Sequence, residues 1–136
     1  MSKRNSILAA IATTLSGTSG ANAVYRSRTD AVRREEMPII IVDWTADDPT
    51  MTFNDYVDWL LQVRVTFLVR SDIPDNAADA MISSAYGLLM NDRTIGGLAM
   101  NLEPSRVTNE AMQGDLTQGV ITHMFNVTYR IPVKTM

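Results

Sequence analysis

From Val57 to Arg70 every odd-numbered position is apolar: Val57, Trp59, Leu61, Val63, Val65, Phe67 and Val69. Period-two alternation kept up over this length predicts a β-strand with one buried face. At about 3.3 Å per residue the strand runs on the order of 46 Å, against a radius of gyration near roughly 14 Å for a compact chain of this size. It is as long as the globule that contains it. Its even positions, Tyr56, Asp58, Leu60, Gln62, Arg64, Thr66, Leu68 and Arg70, mix charge with large apolar groups. Near the end of the chain, "GVITHMFNVTYRIP" places Ile121, Phe125, Val127, Tyr129 and Ile131 on one face and Thr122, Asn126, Thr128 and Arg130 on the other. That predicts a second long strand, paired with the first.

Two other segments switch to helical spacing. Ala78, Met81, Ile82, Ala85, Leu88 and Leu89 recur at intervals of three and four and predict a helix over about 74–91, with Asp72 or Asp75 to cap it and Pro74 in its first turn. Ile7, Leu8, Ile11 and Leu15 predict an amphipathic helix over about 3–15. The basic start of that segment and its Ala21-x-Ala23 look like a secretory signal, but the one-sided apolar spacing favours a helix packed on a sheet. Shorter signals fill the intervals: a strand at 23–28, a charged connection "RTDAVRREE", a strand buried on both faces at Ile39–Val42, a polar turn region "TADDPTMTFND", and a weaker strand at 100–108 interrupted by Pro104. The order helix, strand, strand, strand, helix, strand, strand predicts one α+β domain over residues 1–136, a mainly antiparallel sheet with both helices on its apolar face.

Composition narrows the chemistry. With 136 residues, 46% apolar and 20% charged, the chain suits one globular domain with an adequate core. The net charge of −3 carries no overall basic excess for nucleic acid. Its distribution is uneven, since residues 1–36 hold six basic side chains (Lys3, Arg4, Arg26, Arg28, Arg33, Arg34) against Asp30, Glu35 and Glu36, which leaves the rest of the chain acidic. A basic end and an acidic body suit contact between copies, as well as an ordinary solvated surface. The absence of cysteine excludes disulfides and thiolate chemistry, and a single histidine removes the usual zinc sets. No apolar run reaches the roughly 18 residues that would span a bilayer.

Candidate chemistry is sparse. Asp43, Asp47 and Asp48 could offer oxygen ligands to a hard cation, or form a polar turn, and no Glu-x-Lys follows to make a nuclease of the restriction type. His123 falls on the apolar face of the last strand, as a general base or as a core-edge histidine, with no serine or acid placed beside it by sequence. Gly96-Gly97 follows a helix, so it does not open a phosphate-cradling turn. Asn126-Val-Thr128 matches a glycosylation acceptor but lies in a strand. No catalytic constellation, metal site or cofactor site is expected. Tyr56, Leu60, Arg64 and Leu68, aromatic, aliphatic and arginine anchors in a polar frame, are expected to form half of a subunit interface.

The strand ending in "LVRSDIPDNAADAMISSAYGLLMND", followed by "RTIGGLAMNLEP" and closing with "GVITHMFNVTYRIP", resembles the tail terminator proteins of long-tailed bacteriophages, also filed as minor tail or tail completion proteins. The likeness covers roughly residues 37–132, as an order of elements more than as a side-chain motif. It implies a virion protein at the head-proximal end of the tail, assembled in the host cytoplasm. Such a subunit is not an enzyme. It forms a six-fold, head-to-tail ring that caps the tail tube, ends tube growth and presents a surface to the head connector. Its partners would be itself, the tube protein and the connector or head completion protein. Genomic DNA would pass an acidic lumen without specific binding, and no membrane would be involved. From the residues alone, Arg28, Arg33, Arg34 and Glu35 in the charged connection, and Asn109, Glu110 and Asp115 in a polar loop, are the candidates to reach axial partners. Two readings stay open beside it: another collar or completion ring protein, and a small metal-dependent α+β enzyme using the three aspartates.

Overall fold

The structure, a computed structural model, describes residues 2–71, 73–112 and 118–135. Helix α1 runs Lys3–Leu15 and helix α2 runs Pro74–Met90. Five strands, β1 (Ala23–Arg26), β2 (Ile39–Phe53), β3 (Tyr56–Arg70), β4 (Asn101–Met112) and β5 (Gln118–Pro132), form one sheet in the order β1-β2-β3-β5-β4. Among the described strands only the β1–β2 pair is parallel. The α+β class, the order of elements and the antiparallel bias agree with the sequence patterns.

β3 occupies the centre. It pairs with β5 without interruption from Tyr56 opposite Pro132 to Arg70 opposite Gln118, and with β2 along its other side. Its odd face meets both helices: Leu61, Val63, Val65, Phe67 and Val69 are buried with Ile7, Leu8, Ile11 and Leu15 of α1, with Ala78, Met81, Ala85 and Leu89 of α2, and with Ile121, Phe125, Val127 and Tyr129 of β5. Helix α1 starts where Ser2 Oγ accepts the Asn5 backbone N–H at 3.2 Å, satisfying one of the orphan donors of a first turn. α2 begins differently from expectation. Its N-cap is Ile73, with no capping side chain, Pro74 opens the first turn and Asp75 lies within it; Asp72 falls outside the described residues. Ser71 Oγ instead accepts from Ile73 N at 3.2 Å, just ahead of the helix.

The expected polar turn region at 45–55 is strand. β2 continues to Phe53 and returns through Asn54-Asp55, with Asn54 in the left-handed region at φ 51°, a conformation that asparagine tolerates better than most side chains. Two register shifts, between Trp44 and Ala46 and between Pro49 and Met51, leave Thr45 and Thr50 as extra residues. These are β-bulges, and each reverses which parity of residue faces the helices. Pro49 is tolerated because β1 pairs only with Ile39–Val42, so this half of β2 is a free edge that needs no further N–H donors. β4 is the opposite edge, and the irregularity expected of Pro104 is present as a register shift between Pro104 and Arg106.

Gly119 of β5 marks a close approach of helix and sheet, since a Cβ there would lie 2.4 Å from Pro74 Cβ and 3.0 Å from Val69 Cγ2. Gly87, within α2, has nothing within 4 Å of the equivalent position. Gly119→Ala is therefore expected to destabilise the fold by about 1–3 kcal/mol through overpacking, whereas Gly87→Ala should stabilise it by about 0.5–1 kcal/mol through helix propensity. Urea unfolding of the two variants measures both signs.

Candidate interaction surface

The bulges decide the fate of the three aspartates proposed as cation ligands. Asp43, ahead of the first bulge, lies on the outer face opposite Arg64 and receives two hydrogen bonds from it, the Nε contact at 2.8 Å. This pairing holds the Arg64 guanidinium above its ordinary pKa. Asp47, past the first bulge, pairs with Leu61 and so faces the helices. There Arg4 Nη1 of α1 donates to its Oδ2 at 3.2 Å and the Tyr129 hydroxyl donates to the same oxygen at 2.5 Å. The Asp47 side chain is 2% exposed and that of Arg4 23%. The Arg4 guanidinium also stacks on the Trp44 ring, 4.4 Å from its centroid. Burial, followed by the bond to Asp47, pushes the Tyr129 phenol well above its usual range. Asp48 pairs with Leu60, back on the outer face, and is exposed. Three neighbouring carboxylates thus serve three separate surroundings, and among the described residues no group of three or more acidic or histidine side chains comes together around a cation position.

Asp47 fastens α1 to the sheet. Removing one partner of a buried ion pair strands the other, so Asp47→Ala is expected to cost about 3 kcal/mol. Asp48→Ala, one residue along and solvent-facing, should change stability by less than about 0.5 kcal/mol. Thermal or denaturant unfolding of the two variants checks the contrast, and equal effects would refute it.

His123 is a core-edge residue. It is 5% exposed and stacked between Phe125 at 4.1 Å and Tyr86 at 5.8 Å between ring centroids. Burial lowers its pKa. Because the folded state then binds a proton less readily than the unfolded chain, stability attributable to this residue is present above the unfolded value and is lost as pH falls. No second histidine shares the window. The carboxylates held below their ordinary range, Asp58 by Arg130, Glu36 by Arg28 and Asp92 by Thr94 and Gly96, act at lower pH. The unfolding free energy is expected to fall between about pH 7 and pH 5 in the wild type and to stay level in His123→Phe; a denaturation series across that window reads the difference directly.

The sheet face away from the helices has no covering layer among the described elements. Of the four residues expected to form an interface there, Tyr56 is 46% exposed, while Leu60 and Arg64 are half-buried. Leu68 is a correction: it is buried, in a row with its cross-strand neighbours Ile39, itself fully buried, and Val120. Asp58 is also buried on this face, tied to Arg130 by bonds of 2.7 and 3.1 Å, with the Arg130 guanidinium 4.5 Å from the Phe53 ring centroid. The charges of the outer face are thus largely matched across strands. What stays open is a band from Tyr56 and Met51 at the hairpin end, through Leu60 and Arg64, to Thr66 and Thr122.

The axial candidates separate. Arg28 is engaged rather than reaching outward: it donates to Asp30, to both Glu36 carboxylate oxygens and to the Ala31 carbonyl, and it stacks on Tyr25 at 4.7 Å. These carboxylates raise its pKa above the ordinary value. Arg33 and Glu35 are exposed around a short 3₁₀ turn, Arg34–Glu36, on which Arg34 also lies. Asn109 and Glu110 are corrected from loop to strand, since β4 continues to Met112 paired with β5; Asp115 falls outside the described residues. A cleft beside cis-Pro38, between Ser19, Met37, Arg70 and Met81, holds arginine as its charged group, and among the described residues no carboxylate or imidazole lines it.

No family model and no curated protein matches this sequence. No described helix is long and apolar enough to cross a membrane.

Proposed function

We propose that the protein is a structural, self-associating subunit of a phage tail, forming a ring that caps the tail tube and joins it to the head connector. The observation that carries this reading is the outer sheet face, which neither helix covers and which stays open from the hairpin end through Leu60 and Arg64 although Ile39, Leu68 and Asp58 on it are buried. A single layer of helices buries one side of β3 and β5 and of the first part of β2. The other side presents Tyr56, Leu60 and Arg64 amid internally matched charges, a composition suited to packing against protein. The order of elements that underlies the resemblance to tail terminators supports the same reading. The rival cation-dependent enzyme is disfavoured by the dispersal of Asp43, Asp47 and Asp48 into separate contacts. Another collar or completion ring protein would use the same face on a different axial partner.

In a closed head-to-tail ring this face meets a different face of the next copy. The expected result of light scattering is a mass of about six subunits, either free or when purified tail tubes are added, with closed rings in electron micrographs. Leu60→Glu should abolish rings while leaving the unfolding transition within a few degrees, since the residue is only half-buried. A chain that stays monomeric with and without tubes, or rings indifferent to Leu60→Glu, would sink the assignment of this face.

A further inference from the structure

We propose that β4 is a self-pairing edge, in which two copies of the chain join their β4 strands antiparallel about a two-fold axis through Thr108. Among the described residues β4 is the last strand of the sheet and pairs with β5 on one side only. Past the irregularity at Pro104–Arg106 the ladder is regular from Arg106 to Met112. Val107, on the helix side, is 53% exposed, so neither helix roofs this part of the strand. An edge of this kind leaves alternate N–H and C=O groups directed at solvent, ready to accept another strand.

The side chains then select the partner and the register. Arg106, Thr108 and Glu110 share the outer face, opposite Met124, Thr122 and Val120 of β5. With the axis at Thr108, Arg106 of each copy stands opposite Glu110 of the other, and Thr108 meets its own counterpart. Two opposite-charge pairs and a threonine pair are among the favoured cross-strand contacts. Moving the axis one residue either way sets Arg106 opposite Thr108, or Glu110 opposite Thr108, and matches no charges. The sequence around Thr108 is thus complementary to itself in one antiparallel register. Pro104 and the out-of-register Ser105 limit the clean ladder to Arg106–Glu110 in each copy. So short a contact buries less than the roughly 1,200 Å² of a standard interface, and the pair is a weak one.

Such a pair is isologous and closes on itself, so it is separate from any head-to-tail ring wall and does not rest on that reading. Charges on a sheet edge also serve to prevent pairing, and charge exchange distinguishes the two roles. Sedimentation of the full chain carrying Leu60→Glu, which removes the ring wall and leaves β4 intact, from about 10 µM to 1 mM at low salt is expected to show reversible dimerisation, and the charge variants are made in that background. Arg106→Glu and Glu110→Arg, each of which creates two like-charge contacts per pair, should weaken it about tenfold or more. The double variant R106E/E110R should recover wild-type pairing, and so should an equimolar mixture of the two single variants, with far-UV circular dichroism confirming that each is folded. A monomer throughout the range, single variants that pair like wild type, or a double variant as weak as the singles would overturn the proposal.

Discussion

The full-length pairing of β3 with β2 on one side and β5 on the other is the constraint from which the rest of the molecule follows. A strand paired along both edges has no backbone group left to satisfy, so its two faces are free to specialise. The odd face does so completely: from Leu61 to Val69 its side chains are buried under two helices. Burying its seven apolar residues contributes on the order of 15 kcal/mol, an upper bound against an extended chain. That single face positions α1 and α2, and it leaves the even face without a layer of its own.

Against this regular frame β2 is irregular, and its irregularity is useful. One extra residue at Thr45 turns Asp47 inward, where Arg4 and Tyr129 meet it, and another at Thr50 restores the original parity before the hairpin. A buried ion pair offers little net stability over well-packed apolar groups, but leaving one partner alone is costly. It therefore acts on specificity, because α1 in any other placement would abandon Arg4 or Asp47 without its partner. The same cluster ties the N-terminal end of α1 to the sheet, near Lys3, whose ammonium donates to the Arg130 carbonyl at 3.4 Å.

The molecule presents two kinds of unused surface, and they call for different partners. The outer face, its ion pairs already matched between Asp43 and Arg64 and between Asp58 and Arg130, favours packing over steering by charge. The edges offer hydrogen bonds instead. On β2 the free edge is broken by two bulges and Pro49, devices that discourage strand addition. On β4 the corresponding devices stop at Arg106, and the rest of the strand is regular.

Sequence periodicity by itself determined the kinds of element, their order and most of their limits, including α1 at Lys3–Leu15 and the buried rows of β3 and β5. It could do so because alternation and helical spacing record, residue by residue, which side of an element meets water. Tertiary structure alone decided the extension of β2 through a stretch that reads as a polar turn, the inward aim of Asp47, the burial of Leu68 beside Ile39, and the inclusion of Asn109 and Glu110 in β4. Each of these depends on what lies across the ladder rather than along the chain. A strand with no buried face carries no periodic signal, and one inserted residue reverses every side chain after it. Those are properties of a pair of strands, which a single strand's sequence does not contain.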